Sequence, residues 1–170
     1  MKHKHGSSSL FLLAALALPL GGCGLQPLYA GGESSPVATG FRSVEVGLIP
    51  QRTGWLTRNA LVDRLGGEHP GGMYRLEVEL DDTITGFGIR GDSATTRERR
   101  TLRARYRLVE RASGAVVLDA SAGSDAGIDV VSSEYATVAA EQTAAERLSG
   151  QVADQIIARI ARYMTAPRRP

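Results

Sequence analysis

A long stripe of apolar residues near the end of the chain limits the folds that the whole sequence can adopt. The stripe recurs every three, four or seven residues, which is the spacing of one face of an α-helix. Its members are Val138, Ala145, Leu148, Val152, Ile156, Ile160 and Tyr163. Ser132 or Ser133 can cap this helix, which is predicted over residues 134–164. Such a helix needs an apolar surface to lie on.

Three runs of alternating apolar and polar residues precede the helix and predict consecutive β-strands. They span residues 74–84, 95–111 and 116–122, and residues 124–133 are predicted to form a polar loop. Short connections join the runs, so the strands are expected to form a meander. One face of this meander is apolar and offers the surface that the helix needs.

An earlier strand and helix complete the predicted domain. Its alternating inward residues are Val44, Val46 and Leu48. Thr53 is predicted to cap a helix over residues 54–65. Over residues 41–164 we therefore predict an α+β domain of order β-α-β-β-β-α. It is a two-layer sandwich, in which two helices cover one face of a four-stranded, mostly antiparallel sheet.

The N-terminal segment predicts export from the cytoplasm. Lys2 and Lys4 precede an apolar run over residues 10–20, about half the roughly 20 residues that cross a bilayer. Small residues then lead to Cys23, the only cysteine of the chain. This pattern is typical of a signal peptide over residues 1–22 rather than of a membrane span.

The residues at this predicted cleavage position are Leu20, Gly21, Gly22 and Cys23, and they resemble the lipobox of bacterial lipoproteins. The resemblance implies that Cys23 carries diacylglycerol on its thiol and an acyl chain on its amine. Three acyl chains exceed the two signals that stable anchoring needs. Gly24 stands where an aspartate would favour inner-membrane retention, so the outer membrane is favoured. A plain secretory signal before an accidental cysteine is the alternative.

The two ends of the predicted mature chain lack periodicity. Residues 23–40 are predicted to form the acylated N-terminus, which the lipobox resemblance implies, and a flexible tether. The tether is predicted because this segment is rich in proline, glycine and serine. Residues 165–170 are predicted to form a disordered tail.

Composition and charge argue against nucleic-acid binding and catalysis. Both lysines lie in the signal segment, so the 20 basic residues reduce to 18 arginines against 18 acidic residues. A charge near zero leaves no electrostatic footprint for nucleic acid. His69 is the only histidine after the predicted cleavage, and the sequence shows neither a catalytic triad, a zinc site nor a phosphate loop. We expect no enzyme activity, no cofactor and no metal.

Two short stretches carry a family resemblance. Residues 23–29 read CGLQPLY, and residues 130–136 read VVSSEYA. The second stretch is followed by Ala140, Glu141, Ala144, Glu146 and Arg147. These stretches resemble the CGFxPLY start, the DSxYA turn and the long final helix of the alphaproteobacterial branch of the LptE family. Ser132 stands where that branch often has aspartate.

The resemblance implies an outer-membrane lipoprotein that plugs the LptD β-barrel, assists its assembly and binds lipopolysaccharide on its way to the outer leaflet. It covers the mature start and roughly the last forty residues, whereas the middle agrees only in pattern. An auxiliary lipoprotein of an ABC-type lipid transporter and a purely structural surface lipoprotein are the alternatives. A periplasmic enzyme is a more distant one.

The third predicted strand carries the densest positive charge. Alternation places on one sheet face Arg97, Arg99, Arg103, Arg105 and Arg107, if no bulge intervenes. Arg103 and Arg105 are predicted to pair with the acidic residues Glu77, Glu79 and Asp81 of the neighbouring strand.

Near the hairpin tip, four arginines have fewer acidic neighbours: Arg90, Arg97, Arg99 and Arg100. We predict these as contacts to the phosphates and carboxylates of lipopolysaccharide, because a guanidinium forms forked, charge-assisted bonds with such groups. Contacts to acidic groups lining the barrel are the alternative.

Overall fold

The computed structural model describes residues 35–89 and 95–166. Its elements are helix α1 (Pro36–Phe41), strand β1 (Val44–Val46), helix α2 (Gln51–Leu65), strand β2 (Tyr74–Ile89), strand β3 (Thr95–Glu110), strand β4 (Val116–Asp129) and helix α3 (Glu134–Thr165). The predicted signal peptide, Cys23, Arg90 and residues 167–170 lie outside the described residues.

The four strands form one sheet in the order β1-β2-β3-β4. β1 runs parallel to β2, and the other two pairings are antiparallel. The predicted α+β fold, with its mostly antiparallel sheet and the order β-α-β-β-β-α, is confirmed, and α1 precedes it.

Strand alternation and the stripe of α3 together build the core. On β3 the even-numbered residues Leu102, Ala104, Tyr106 and Leu108 are at most 2% exposed. They meet the fully buried α3 residues Leu148, Val152, Ile156 and Ile160. Each large apolar side chain buried in this way contributes about 1.5–3 kcal/mol. The core therefore lies between the sheet and α3, and the other face of the sheet stays open.

The first turns of α3 depart from the predicted stripe. Ser133 is the cap, since its hydroxyl accepts a hydrogen bond from the backbone of Ala136. Thr137 occupies the first buried position, and the next buried residue is Ala144. Val138 is 42% exposed, so its predicted burial is wrong. The prediction from hydropathy chose the wrong buried residue in this turn, because the helix buries Thr137 there instead of Val138.

A short helix replaces the end of the predicted tether. Ser35 caps α1 by accepting a hydrogen bond from the backbone of Ala38, 3.1 Å away. Val37 and Phe41 are 4% and 3% exposed and belong to the core. The folded part therefore begins before the predicted boundary at residue 41, because two apolar side chains of this segment find a place in the core.

The segment between β1 and α2 differs from the prediction. β1 ends at Val46, and Leu48 is 89% exposed, so its predicted inward position is wrong. α2 begins at Gln51 after Pro50, and Thr53 lies buried inside its first turn instead of capping it. The hydroxyl of Thr53 donates to Asp82 on β2 instead of capping the helix, and Pro50 occupies the N-cap position in an extended conformation.

β4 continues well beyond its predicted end. The predicted strand stops at Ala122, yet β4 reaches Asp129 through what was predicted to be a polar loop. Ala126 and Ile128 alternate inward and are each 4% exposed. The alternation of Val116, Leu118 and Ala120 predicts that all three face inward. Val116 is instead 50% exposed, since the register shifts between Leu108 and Val109 of β3.

Two helical glycines differ in the space around them, and we predict that alanine has opposite effects there. A Cβ at Gly54 would lie 2.6 Å from the carbonyl oxygen of Ile49, whereas one at Gly150 would meet Arg64 at 3.6 Å. We expect Gly54→Ala to lower the free energy of unfolding by about 1–3 kcal/mol. Gly150→Ala should raise it by up to about 1 kcal/mol. Urea denaturation measures both values, and two changes of the same sign would contradict this packing.

Candidate functional site

The open face of the sheet carries five arginines of β3, which we call the arginine face: Arg97, Arg99, Arg103, Arg105 and Arg107. Their pairing with β2 and β4 is regular over this stretch, so all five side chains emerge on one side. The predicted shared face is therefore confirmed. A depression of about 370 Å³, lined by Arg103, Arg105, Glu79 and Asp81 among others, lies in its centre.

At one end of this face the arginines are paired. Arg107 Nη2 lies 3.3 Å from Glu77 and 3.8 Å from Glu79 on β2. Arg105 Nη2 lies 3.0 Å from Asp119 on β4, and the hydrogen bond from Arg105 lowers the pKa of that carboxyl. Arg105 thus pairs with an aspartate of β4 instead of the predicted acids of β2. Ser121 is the register neighbour of Arg105, and Asp119 precedes Ser121 by two residues on β4. The alternation of β2 and β3 alone did not predict this partner.

Arg103 has no carboxylate partner among the described residues, so its predicted pairing is wrong. Its side chain lies instead over Gly123 of β4, where a Cβ would come within 2.6 Å of Arg103 Cδ. Asp81 stands directly opposite Arg103 in the register, but the side chains form no ion pair. The glycine provides the space in which this guanidinium lies across the sheet.

Arg97 and Arg99 lie at the other end of the face. Arg97 Nε is 3.1 Å from Asp129 Oδ1, and these side chains are 64% and 76% exposed. Such exposed pairs contribute about 0–1 kcal/mol. The Arg99 guanidinium lies 5.4 Å from the ring centre of Phe87, and no carboxylate in the described part of the chain pairs with it. Two arginines of the face, Arg99 and Arg103, therefore keep a charge that no carboxylate of residues 35–89 and 95–166 neutralises.

Arg100 lies on the opposite, helix-covered face and is not a surface ligand contact. Its Nε and Nη2 bind the two oxygens of Asp82 at 2.8 and 2.5 Å. Its Nη1 donates to the carbonyl oxygen of Glu141 in α3 at 2.8 Å. Thr53 of α2 donates to the same aspartate at 2.6 Å. The predicted role of Arg100 is wrong, because its even number places it with Leu102 on the core side.

This partly buried bridge joins β2, β3, α2 and α3. Both charged side chains are 14% exposed. The hydrogen bond from Arg100 is the main cause that lowers the pKa of Asp82, and the same bond raises the pKa of Arg100. The pair therefore stays ionised at neutral pH and holds the sheet to both helices.

We predict that Asp82→Asn destabilises the domain. The variant keeps the shape of the side chain but leaves Arg100 buried without a counter-charge, which costs about 3 kcal/mol. Urea denaturation at neutral pH measures this loss. The matched control is Asp129→Asn at the exposed pair with Arg97, which should change stability by less than about 1 kcal/mol.

The same variant has a defined pH dependence. Because the native pKa of Asp82 lies below the ordinary value of 3.8, the charge stabilises the fold above that value and stops doing so as the pH falls through the native pKa. The difference between wild type and Asp82→Asn should therefore be full at neutral pH and shrink in acid. A difference that stays constant down to acid pH would contradict the role of this charge.

Other kinds of site were sought in the described ranges. Within residues 35–89 and 95–166, no group of three or more His, Cys, Asp or Glu side chains could hold a metal ion. His69 lies with its Nε2 3.1 Å from the carbonyl oxygen of Leu65, at the end of α2. In this same part of the chain, no helix has the length and hydropathy of a membrane span.

Solved structures share this fold. A candidate lipoprotein from Caulobacter crescentus CB15 superposes with a TM-score of 0.63 and 25% identity, over 77% of this chain and 97% of that one. Rare lipoprotein B from Shewanella oneidensis gives 0.55 and 9%, over 69% and 92%. An uncharacterized lipoprotein B from Nitrosomonas europaea gives 0.57 and 11%, over 72% and 84%. The fold is thus one that bacterial lipoproteins share.

A family match narrows this class. The LptE family, described as lipopolysaccharide-assembly, matches residues 41–160, which include every strand and most of α3. The chain therefore belongs to the LptE family, as its two short motifs predicted. No curated protein sequence matches it significantly.

Proposed function

We propose that this chain is an outer-membrane lipoprotein, anchored through acylated Cys23, which partners an LptD-type β-barrel and binds lipopolysaccharide during its delivery to the outer leaflet. It has no catalytic turnover of its own. Membership of the lipopolysaccharide-assembly family supports the general role. The finer assignment depends on the open face of the sheet.

The observation that carries the proposal is the pair of unneutralised arginines on that face. Arg99 and Arg103 are four residues apart on β3, or about 13 Å along the strand. Lipopolysaccharide offers phosphates and carboxylates, which guanidinium groups bind with forked, charge-assisted hydrogen bonds. Phe87, 40% exposed beside Arg99, adds an apolar contact at the same end.

Arg97 extends this binding surface. Its pair with Asp129 is exposed to solvent, so a phosphate can displace the carboxylate at little energetic cost. The proposed contacts are therefore Arg97, Arg99 and Arg103. Arg90 is proposed as a further contact from its place in the sequence alone.

We predict that charge reversal of Arg97 and Arg99 together weakens lipopolysaccharide binding by at least about tenfold, since two charge-assisted contacts are replaced by repulsion. The measurement is retention of fluorescent lipopolysaccharide by the full-length tagged chain in detergent. The matched control reverses Arg147 and Arg159, two exposed arginines of α3, and changes the net charge equally. Equal binding by both double variants, with normal thermal unfolding, would contradict the proposed site.

A second experiment separates the proposed partner from the alternatives. We predict that the full-length tagged chain recovers a large β-barrel protein from detergent-solubilised envelopes. Recovery of an ATPase or a substrate-binding subunit would instead indicate an ABC-type lipid transporter. A purely structural lipoprotein would recover neither and would bind no glycolipid.

A further inference from the structure

β2 is a long strand of which one edge is largely uncovered. Tyr74 donates from its backbone to Ser43, and Gly47 donates to Leu76, both at 2.9 Å. The even-numbered residues of β2 therefore direct their backbone groups toward β1, and the odd-numbered residues bond to β3. This parity holds along the strand, because its register with β3 is regular up to Phe87.

β1 covers only the beginning of this edge. It pairs with β2 over Tyr74–Leu76, whereas β2 continues to Ile89. Within the described residues, no strand or side chain bonds to the backbone N–H and C=O groups that Val78, Leu80, Asp82 and Ile84 direct outward. An uncovered edge of this length is a template for pairing with another chain.

The opposite edge of the sheet is capped at its middle by a side chain. The amide of Gln155 in α3 both accepts from the backbone N–H of Gly123 and donates to its carbonyl, each at 3.1 Å. One side-chain amide thus takes the place of a neighbouring strand at this point of β4. An added strand would have to displace Gln155 there, whereas no such cap is found on β2 among the described residues.

A cavity and two exposed apolar side chains adjoin the uncovered edge of β2. The cavity, of about 230 Å³, lies between the start of α2 and β2, and its lining mixes apolar residues such as Ile49 and Leu80 with polar ones such as Thr53. Leu48 and Trp55, at either end of this segment, are 89% and 60% exposed. A strand added along β2 would have backbone partners on one side and a recess of mixed polarity for alternate side chains.

Val78 is 7% exposed, whereas Ile84 is 43% exposed, so the edge opens toward the end of β2. We infer that this edge from Leu80 to Ile84 receives an extended segment of the β-barrel partner, which adds as a fifth strand beyond the end of β1. The inference rests on the proposed function for the identity of that partner. Strands in the wall of a closed barrel bond to each other, so the segment comes from a loop or terminus of the partner.

Charge defines the chemistry of this segment. Glu79 is 76% exposed and Asp81 is also exposed, and both lie on the open face of β2. The segment therefore carries basic side chains beside these acids. A second copy of this chain is disfavoured, because two β2 edges would bring their acidic residues together.

The test is proline at a residue whose N–H faces outward. In Ile84→Pro no hydrogen bond within the sheet is lost, and the ring blocks an added strand. We expect the barrel recovered by the full-length tagged chain to fall at least tenfold. The control is Asp125→Pro on β4. Like Gly123, Asp125 directs its backbone N–H away from β3, so this proline also removes no hydrogen bond within the sheet. It should recover as much barrel as the wild type does.

The possible outcomes separate this inference from the proposed function. If the wild type recovers no barrel, the proposed partner is wrong, and the inference fails with it. If Ile84→Pro folds, as judged by thermal unfolding, and recovers as much barrel as the wild type, the edge inference alone is overturned.

A measurement on the wild type covers the case in which the proline variant unfolds. The outward backbone amides of Leu80, Asp82 and Ile84 should exchange hydrogen at least tenfold more slowly in the purified complex with the barrel than in the free chain. The outward amides of Asp125 and Gly127 on the β4 edge provide the comparison. Unchanged exchange of the three β2 amides would overturn the inference.

Discussion

The apolar seam between α3 and one face of the sheet is the constraint on which the other features depend. The seam requires every even-numbered side chain at the centre of β3 to point toward the helix, and the period of two then sends the odd-numbered arginines to the other side. The same alternation that buries the core residues of β3 therefore gathers its arginines on the opposite face. The Arg100–Asp82 bridge reinforces the same seam where it meets α2 and α3.

The two faces and the two edges of the sheet differ in how far the rest of the fold covers them. One face is buried for stability, and the other presents arginines of which some are neutralised by neighbouring acids and some are not. The β4 edge is capped by Gln155 at Gly123, whereas β1 covers only the beginning of the β2 edge. Family membership assigns the chain to lipopolysaccharide assembly. The proposed ligand and partner surfaces use the face and the edge that the fold leaves free.

The sequence predicted most reliably those elements in which long runs contrast apolar and polar residues. β3 and α3 are such elements, and their bounds match closely. The second half of β4 was missed, because Ile128 is its one large inward apolar residue beside Ser124 and Ala126, and its outward residues are glycine and aspartate. Arg100 was misassigned although its parity with Leu102 was readable in the sequence. The position of Arg103 over Gly123 could not be predicted, because Gly123 lies beyond the predicted end of β4. The partner of Arg105 depends on the register between β3 and β4, which the sequence does not show.

The position of α3 at the end of the chain has a consequence for how the molecule is made. Its 32 residues supply one wall of the core, and they leave the ribosome after every strand. Until α3 is made, the apolar face of the sheet has no helix to cover it, and Arg100 lacks its hydrogen bond to the carbonyl oxygen of Glu141. The domain therefore completes its core only after α3 has been synthesised.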